Sequence, residues 1–172
     1  MRELLLTTRK FSVERICIDG AGGHARFLER VVHPGAVVIL PLLDDGRIVM
    51  IRNFRPTVGG VLLELPAGTR EPGEELLVTA GRELEEETGY RAGQIEALID
   101  FYPSPGVLTE RMWAFSATIL HPTAQRLDPG ERIAVEIMDP KELRRMLLGG
   151  EIHDGKTIAV LGTYFLGQLK ER

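Results

Sequence analysis

The chain has 172 residues, 44% of them hydrophobic and 27% charged, which suits one globular domain with a real core. A formal net charge of -4 gives no overall attraction to phosphate backbones or anionic lipid, and no Lys/Arg run supplies a local basic patch, so neither nucleic acid nor membrane is expected as a partner. The single cysteine, Cys17, cannot form an intramolecular disulfide and reads as a small core residue; with no leader and no apolar run of membrane-spanning length, a cytoplasmic protein is expected.

In chain order, the early segments alternate or are rich in β-branched residues: SVERICID (12–19), HARFLERVV (24–32), GAVVILPLL (35–43) and RIVMIRNFR (47–55), separated by turn material at DGAGG (19–23) and DDG (44–46). These predict strands and hairpins. Pro34 breaks regular pairing, and the strands before it are more polar than those after it. Residues 1–33 are therefore expected to form antiparallel strands of their own, and 34–172 the main domain. A short strand at VLLELP (61–66), a Pro/Gly loop and a glutamate-rich helix come next, then strands at QIEALIDFYP (94–103), RMWAFSATIL (111–120) and IAVEIMD (133–139). Helices are expected at DPKELRRMLLGG (139–150) and from Lys156 onward, where apolar residues recur at spacings of three and four. The predicted class is α+β: an α/β/α sandwich with a mixed sheet, plus the N-terminal strands.

Residues 68–90, GTREPGEELLVTAGRELEEETGY, concentrate seven glutamates in a chain that is only mildly acidic overall. The helix is expected from about Glu74 to a left-handed stop at Gly89, with Leu77, Ala80, Gly81, Leu84 and Thr88 on a buried stripe. Glu83, Glu86 and Glu87 return to one neighbouring arc, while Glu85 points elsewhere, into solvent. Like charges at these spacings destabilise an isolated helix by roughly 0.2–0.5 kcal/mol per pair, so either the arc is simply solvated or a cation holds it. The arc borders the buried stripe, and the Gly/Pro loop before it can bring backbone carbonyls to the same face. That favours a metal site. Oxygen donors without nearby His or Cys point to Mg²⁺, with Mn²⁺ as a substitute.

The segment resembles the Nudix box, G-x5-E-x7-R-E-U-x-E-E-x-G-U: Gly68, Glu74, Arg82, Glu83, Leu84, Glu86, Glu87, Gly89, with Tyr90 in the last bulky position. The resemblance implies hydrolysis of a nucleoside diphosphate linked to another group, with divalent ions neutralising the pyrophosphate and activating a water. It implies Glu83 and Glu87 as principal metal ligands that serve catalysis directly, Glu86 as an additional ligand and the Ala67 carbonyl as a backbone ligand. Arg82 and Glu74 would organise the box.

The flanks are similar to the ADP-ribose and ADP-sugar pyrophosphatase branch: RNFRPTVGGVLLELPAGTREPGE before the box, FYPSPGVLTER after it, with Pro105 at the branch's proline position, and GEIHDGKTIAV late in the chain. That branch implies substrate contacts from Arg55, whose planar guanidinium matches phosphate geometry, and from Arg52, Glu64 and Pro105. Glu131, in a loop before a strand, falls where the branch keeps a glutamate that orients or deprotonates the attacking water, and Glu110 is the second candidate base. The resemblance further implies a nucleoside diphosphate sugar as substrate and a homodimer through the N-terminal strands, where Phe11 and Phe27 would reach a partner's adenine if the strands are exchanged. His24, His33, His121 and His153 do not converge and are expected at the surface. Two other readings compete: a pyrophosphatase for another nucleoside diphosphate sugar or a dinucleotide, and a non-enzymatic ligand-sensing domain of the same fold.

Overall fold

The computed structural model describes residues 2–19 and 24–170, so most of the turn expected at 19–23, and residues 171–172 of the helix expected from Lys156 onward, lie outside the described residues. Three strands come first: β1 (Arg2–Thr7), β2 (Ser12–Asp19) and β3 (Ala25–Val32), an antiparallel sheet in the order β1-β2-β3. Its fully buried carboxylate, Glu14, is paired with Arg2 and Arg30. The end of β3 is stitched to the loop before Arg111: Thr109 N–H donates to the Val31 carbonyl at 2.9 Å and Val31 N–H donates to the Val107 carbonyl at 2.8 Å.

The main body contains β4 (Ala36–Pro41), β5 (Ile48–Arg55), β6 (Gly60–Glu64), β7 (Ala67–Thr69), α1 (Leu76–Thr88), β8 (Tyr90–Phe101), β9 (Met112–Pro122), β10 (Ile133–Met138), α2 (Pro140–Leu148) and α3 (Gly155–Lys170). One sheet is mixed, ordered β7-β4-β9-β8 with β4 and β9 parallel; the other is antiparallel, ordered β10-β5-β6. Every residue of β4 is buried, as a strand covered on both faces must be. The alternation of strand side chains divides it between two cores. Ala36, Val38 and Leu40 join Leu143, Val160, Leu161 and Phe165 of α2 and α3, while Val37 and Ile39 meet Ala80 and Leu84 of α1. Each fully buried Leu, Ile or Val contributes about 1.5–3 kcal/mol. The body is thus the expected α/β/α sandwich, of the α+β class.

Helix α1 starts two residues later than the sequence suggests, and its buried stripe is rotated. Leu77 is 54% exposed; the inward positions are Thr79, Ala80, Leu84, Glu87 and Thr88, with Leu76 packed partly against the same core. The spacing Leu76, Ala80, Leu84, Glu87 follows four, four and three residues, so Glu87 lies on the buried face rather than beside it. Gly89 ends the helix at φ 68°, and a Cβ there would also meet the Gln125 nitrogen at 3.0 Å. The open carbonyls at this end are taken by the segment after β9: Thr123 N–H donates to the Gly89 carbonyl (2.6 Å), Gln125 Nε2 to that of Glu87 (2.6 Å) and Arg126 N–H to that of Glu86 (2.9 Å).

Candidate active site

Strand β7 and helix α1 face each other across a cleft of about 490 Å³ lined by Ala67, Gly68, Glu83, Glu86, Glu87, Glu131 and Arg55, with further cations at its margins. Gly68 is required by close approach: a Cβ on it would fall 1.8 Å from the Glu83 carboxyl carbon. The Glu83 carboxylate therefore lies directly on the β7 backbone. Glu87, 4% exposed, accepts a hydrogen bond from Ala67 N–H at 2.8 Å. Two carboxylates from successive turns of α1 are thereby brought against β7, whose Ala67 carbonyl was expected to join them.

Arg82 organises the rest of the box. Its Nε and Nη2 donate to the two Glu74 oxygens at 2.9 and 3.0 Å, and its Nη1 donates to Glu83 at 2.7 Å and Glu86 at 3.1 Å. The Arg82 hydrogen bonds hold the Glu74 carboxyl down at about 2. Arg70 Nε fixes the Glu74 carbonyl at 2.9 Å. Glu85, expected in solvent, is instead 14% exposed and bridges Arg91 (3.0 Å) and Arg126 (3.2 Å).

The inner carboxylates are in the opposite condition. Burial pushes Glu87 up to about 8; the Ala67 N–H opposes this, while Glu83 and Glu131 add to it. Burial also raises Glu83, against the pull of Arg82. A divalent cation arriving between them would favour their ionised forms. Among the described residues no three His, Cys, Asp or Glu side chains make a closed metal-binding group. The arrangement fits an ion such as Mg²⁺, which keeps several waters and binds through one or two carboxylates plus substrate phosphates. Glu83, Glu87 and the Ala67 carbonyl are the donors that would hold it, with Glu86 at the edge.

A NUDIX domain model matches residues 32–161. The chain belongs to the NUDIX family. It is 39% identical over 142 residues to the ADP-ribose pyrophosphatase of Bacillus subtilis, covering 81% of this chain and 77% of that one. It is 38% identical over 143 residues to the methanol dehydrogenase activator of Bacillus methanolicus, with 82% and 77% covered. A crystal structure of an ADP compounds hydrolase superposes with a TM-score of 0.84 at 25% identity, covering 98% of this chain and 93% of that one.

Within this Nudix hydrolase, the other anticipated residues separate into groups. Arg55 reaches the cleft, and Nε and Nη2 of its guanidinium meet the two Glu64 oxygens at 2.8 and 2.6 Å. Glu64 itself is fully buried and has both oxygens occupied, so it faces Arg55 and Lys156 rather than open space. Arg52 points away from the cleft and pairs with Glu136 across the β5–β10 ladder at 2.6 Å. Pro105 is exposed, whereas Pro103 and Glu110 line a second lobe of about 320 Å³ that shares Arg55, Ala67, Gly68 and Thr69 with the first. Glu131 lines the first lobe, its carboxylate accepting from Asp128 N–H at 2.9 Å. His33 is not a surface residue: it is 15% exposed, with Nδ1 accepting from Gly35 N–H at 3.1 Å and lying 3.4 Å from Glu110 Oε1. Lys156 and Asp154 were not singled out from the sequence; a lysine in the first turn of a helix, against the helix dipole, was the available signal.

No helix among the described residues is long and apolar enough to cross a membrane.

Proposed function

We propose that this Nudix hydrolase is an Mg²⁺-dependent ADP-sugar pyrophosphatase that splits ADP-ribose into AMP and ribose 5-phosphate. The observation that carries this reading is the placement of Glu83, Glu87 and Glu131 on the first lobe of the cleft, with Arg55 at the junction of the two lobes. Two lobes meeting over β7 suit a substrate with two bulky ends joined by a pyrophosphate. The relatives named for ADP-ribose and ADP compounds support the same substrate class.

The metal, when bound, neutralises the pyrophosphate and lowers the pKa of a coordinated water. Glu83, Glu87 and the Ala67 carbonyl would hold it on the α1–β7 wall. Arg55 binds phosphate oxygens with a guanidinium oriented by its two hydrogen bonds to Glu64. Glu131 takes the proton of the attacking water: it shares the first lobe with Glu83 and Glu87, whereas Glu110 lies in the second lobe beside His33.

The oligomer belongs to the same reading: a homodimer through the N-terminal sheet, which leaves Leu4, Leu6 and Phe27 more than half exposed. Residues 1–33 act as the dimerisation element of a 34–172 catalytic domain. Free Cys17 suits a reducing, cytoplasmic location. A panel of nucleoside diphosphate derivatives assayed with Mg²⁺ for released mononucleotide tests the proposal. AMP release fastest from ADP-ribose is expected; preferential release of GMP from GDP-mannose, or no release from any member, overturns it.

A further inference from the structure

The first turn of α3 places a lysine where the helix dipole disfavours a cation. Lys156 is only 10% exposed there, and two carboxylates hold it: Nζ donates to Glu64 Oε2 at 2.6 Å and to Asp154 Oδ1 at 2.9 Å. Asp154 is tied in turn, its second oxygen accepting from Thr157 N–H at 3.0 Å. Thr157, fully buried, accepts from Leu65 N–H at 2.8 Å through its hydroxyl, which fixes this turn against the residue following Glu64. The result is a row of alternating charge, Asp154, Lys156, Glu64, Arg55, running from α3 across the end of β6 into the cleft. Three of its four members are at most 15% exposed; Arg55, 39% exposed, opens to both lobes of the cleft, and the Asp154–Lys156 end borders the second lobe only. A buried network with every member satisfied rigidifies the groups it holds. With Lys156 removed, Glu64 would keep one cation for a buried carboxylate, and both of its oxygens would depend on Arg55 alone.

We infer that Lys156 and Asp154 are positioning residues for substrate binding, acting through Glu64 to fix the Arg55 guanidinium at the junction of the two lobes. This rests on the reading that Arg55 meets the substrate phosphates. Lys156 does not hold the metal and does not take part in proton transfer, so its contribution belongs to KM rather than kcat.

The test is steady-state kinetics on ADP-ribose with saturating Mg²⁺. Lys156→Met is expected to raise KM roughly tenfold with kcat within about twofold, the size of one charge-assisted hydrogen bond. Lys156→Arg, which keeps the charge, is expected to recover most of that loss. Asp154→Asn preserves an acceptor for Thr157 N–H and tests the same row should Lys156→Met fold poorly; it raises KM in the same direction. Because the row acts through Arg55, adding Lys156→Met to Arg55→Ala is expected to change KM by no more than about twofold. A folded Lys156→Met or Asp154→Asn protein with unchanged KM, alongside an Arg55→Ala protein with raised KM, overturns the positioning role alone. A full multiplicative effect in the double variant overturns it too. If Arg55→Ala itself leaves KM unchanged, the reading of Arg55 falls and the positioning role with it.

Discussion

The Glu83 carboxylate occupies the volume a methyl group on Gly68 would need: a Cβ built there would fall 1.8 Å from its carboxyl carbon. The first glycine of the box is thus a contact surface for the eighth residue of the helix that follows.

Gly68→Ala is therefore expected to displace Glu83 without unfolding the sheet, since β7 is a short edge strand. A displacement of about an ångström at a catalytic carboxylate lowers turnover by about 10²-fold. Assay of Gly68→Ala beside its circular dichroism spectrum checks this, and a folded protein with near-normal turnover refutes it.

Glu87 links pH, metal and stability. Its carboxyl is raised from 4.5 to about 8 in the metal-free fold, so between those values the folded state holds a proton that the unfolded state releases. The stability this confers is complete below about 4.5 and lost as pH rises through about 8; Glu83, raised too, acts in the same direction. Melts of chelator-treated protein should show a falling Tm from about pH 5 to about pH 9, with Mg²⁺ restoring most of the loss at the alkaline end. Glu87→Gln should flatten the metal-free profile and abolish turnover. An alkaline Tm insensitive to both Mg²⁺ and Glu87→Gln would contradict the assignment.

The two candidate bases are separable by substitution. Glu131→Gln is expected to lower kcat by about 10²–10⁴-fold while leaving calorimetric Mg²⁺ binding unchanged. Glu110→Gln, on a residue in the other lobe, is expected to change KM more than kcat. The reverse pattern assigns the base to Glu110.

Arg82 meets three carboxylates with one planar fork, which a lysine cannot do. Arg82→Lys is expected to lower stability by about 2 kcal/mol in urea unfolding at neutral pH. The Glu74 contact is a separate acid-sensitive element: with Glu74 held at about 2, its stabilisation is present above 4.5 and lost as pH falls through about 2. The stability deficit of Arg82→Lys relative to wild type should therefore narrow as the solution is acidified through that window.

Most strands with strong alternation or β-branched runs were legible to within a residue or two; SVERICID coincides with β2, and RIVMIRNFR with β5 plus one residue, whereas β8 begins four residues before the predicted QIEALIDFYP. What the sequence hid were contacts between distant segments. β7 is three residues long and owes its existence to β4, so the local pattern read as loop. Leu77 looked inward on an ideal wheel begun at Glu74, but the helix is set by Leu76, Ala80 and Leu84 meeting Val37 and Ile39. The spacing did put Glu83, Glu86 and Glu87 on a shared face, because helical periodicity is local. That Glu64 would be enclosed by Arg55 and Lys156, or His33 drawn to Glu110, depends on partners 92 and 77 residues away in the chain at their farthest, and no periodicity encodes that.

The segment that closes the C-terminal end of α1 also leashes Glu131. Its backbone is moored to the helix at Arg126 and to strand β5 at Arg132, whose carbonyl accepts from Phe54 N–H at 3.1 Å. Only residues 127–131 lie between the moorings, and Glu131 is one residue from the second. Its carboxylate can pivot over a side chain's length but cannot sweep in from solvent like the tip of a long lid. Such a pivot belongs to the nanosecond-to-microsecond range of loop motion. Turnover in this enzyme is then expected to be paced by bond cleavage rather than by closure, and viscosity, which slows large closures, should leave kcat nearly untouched.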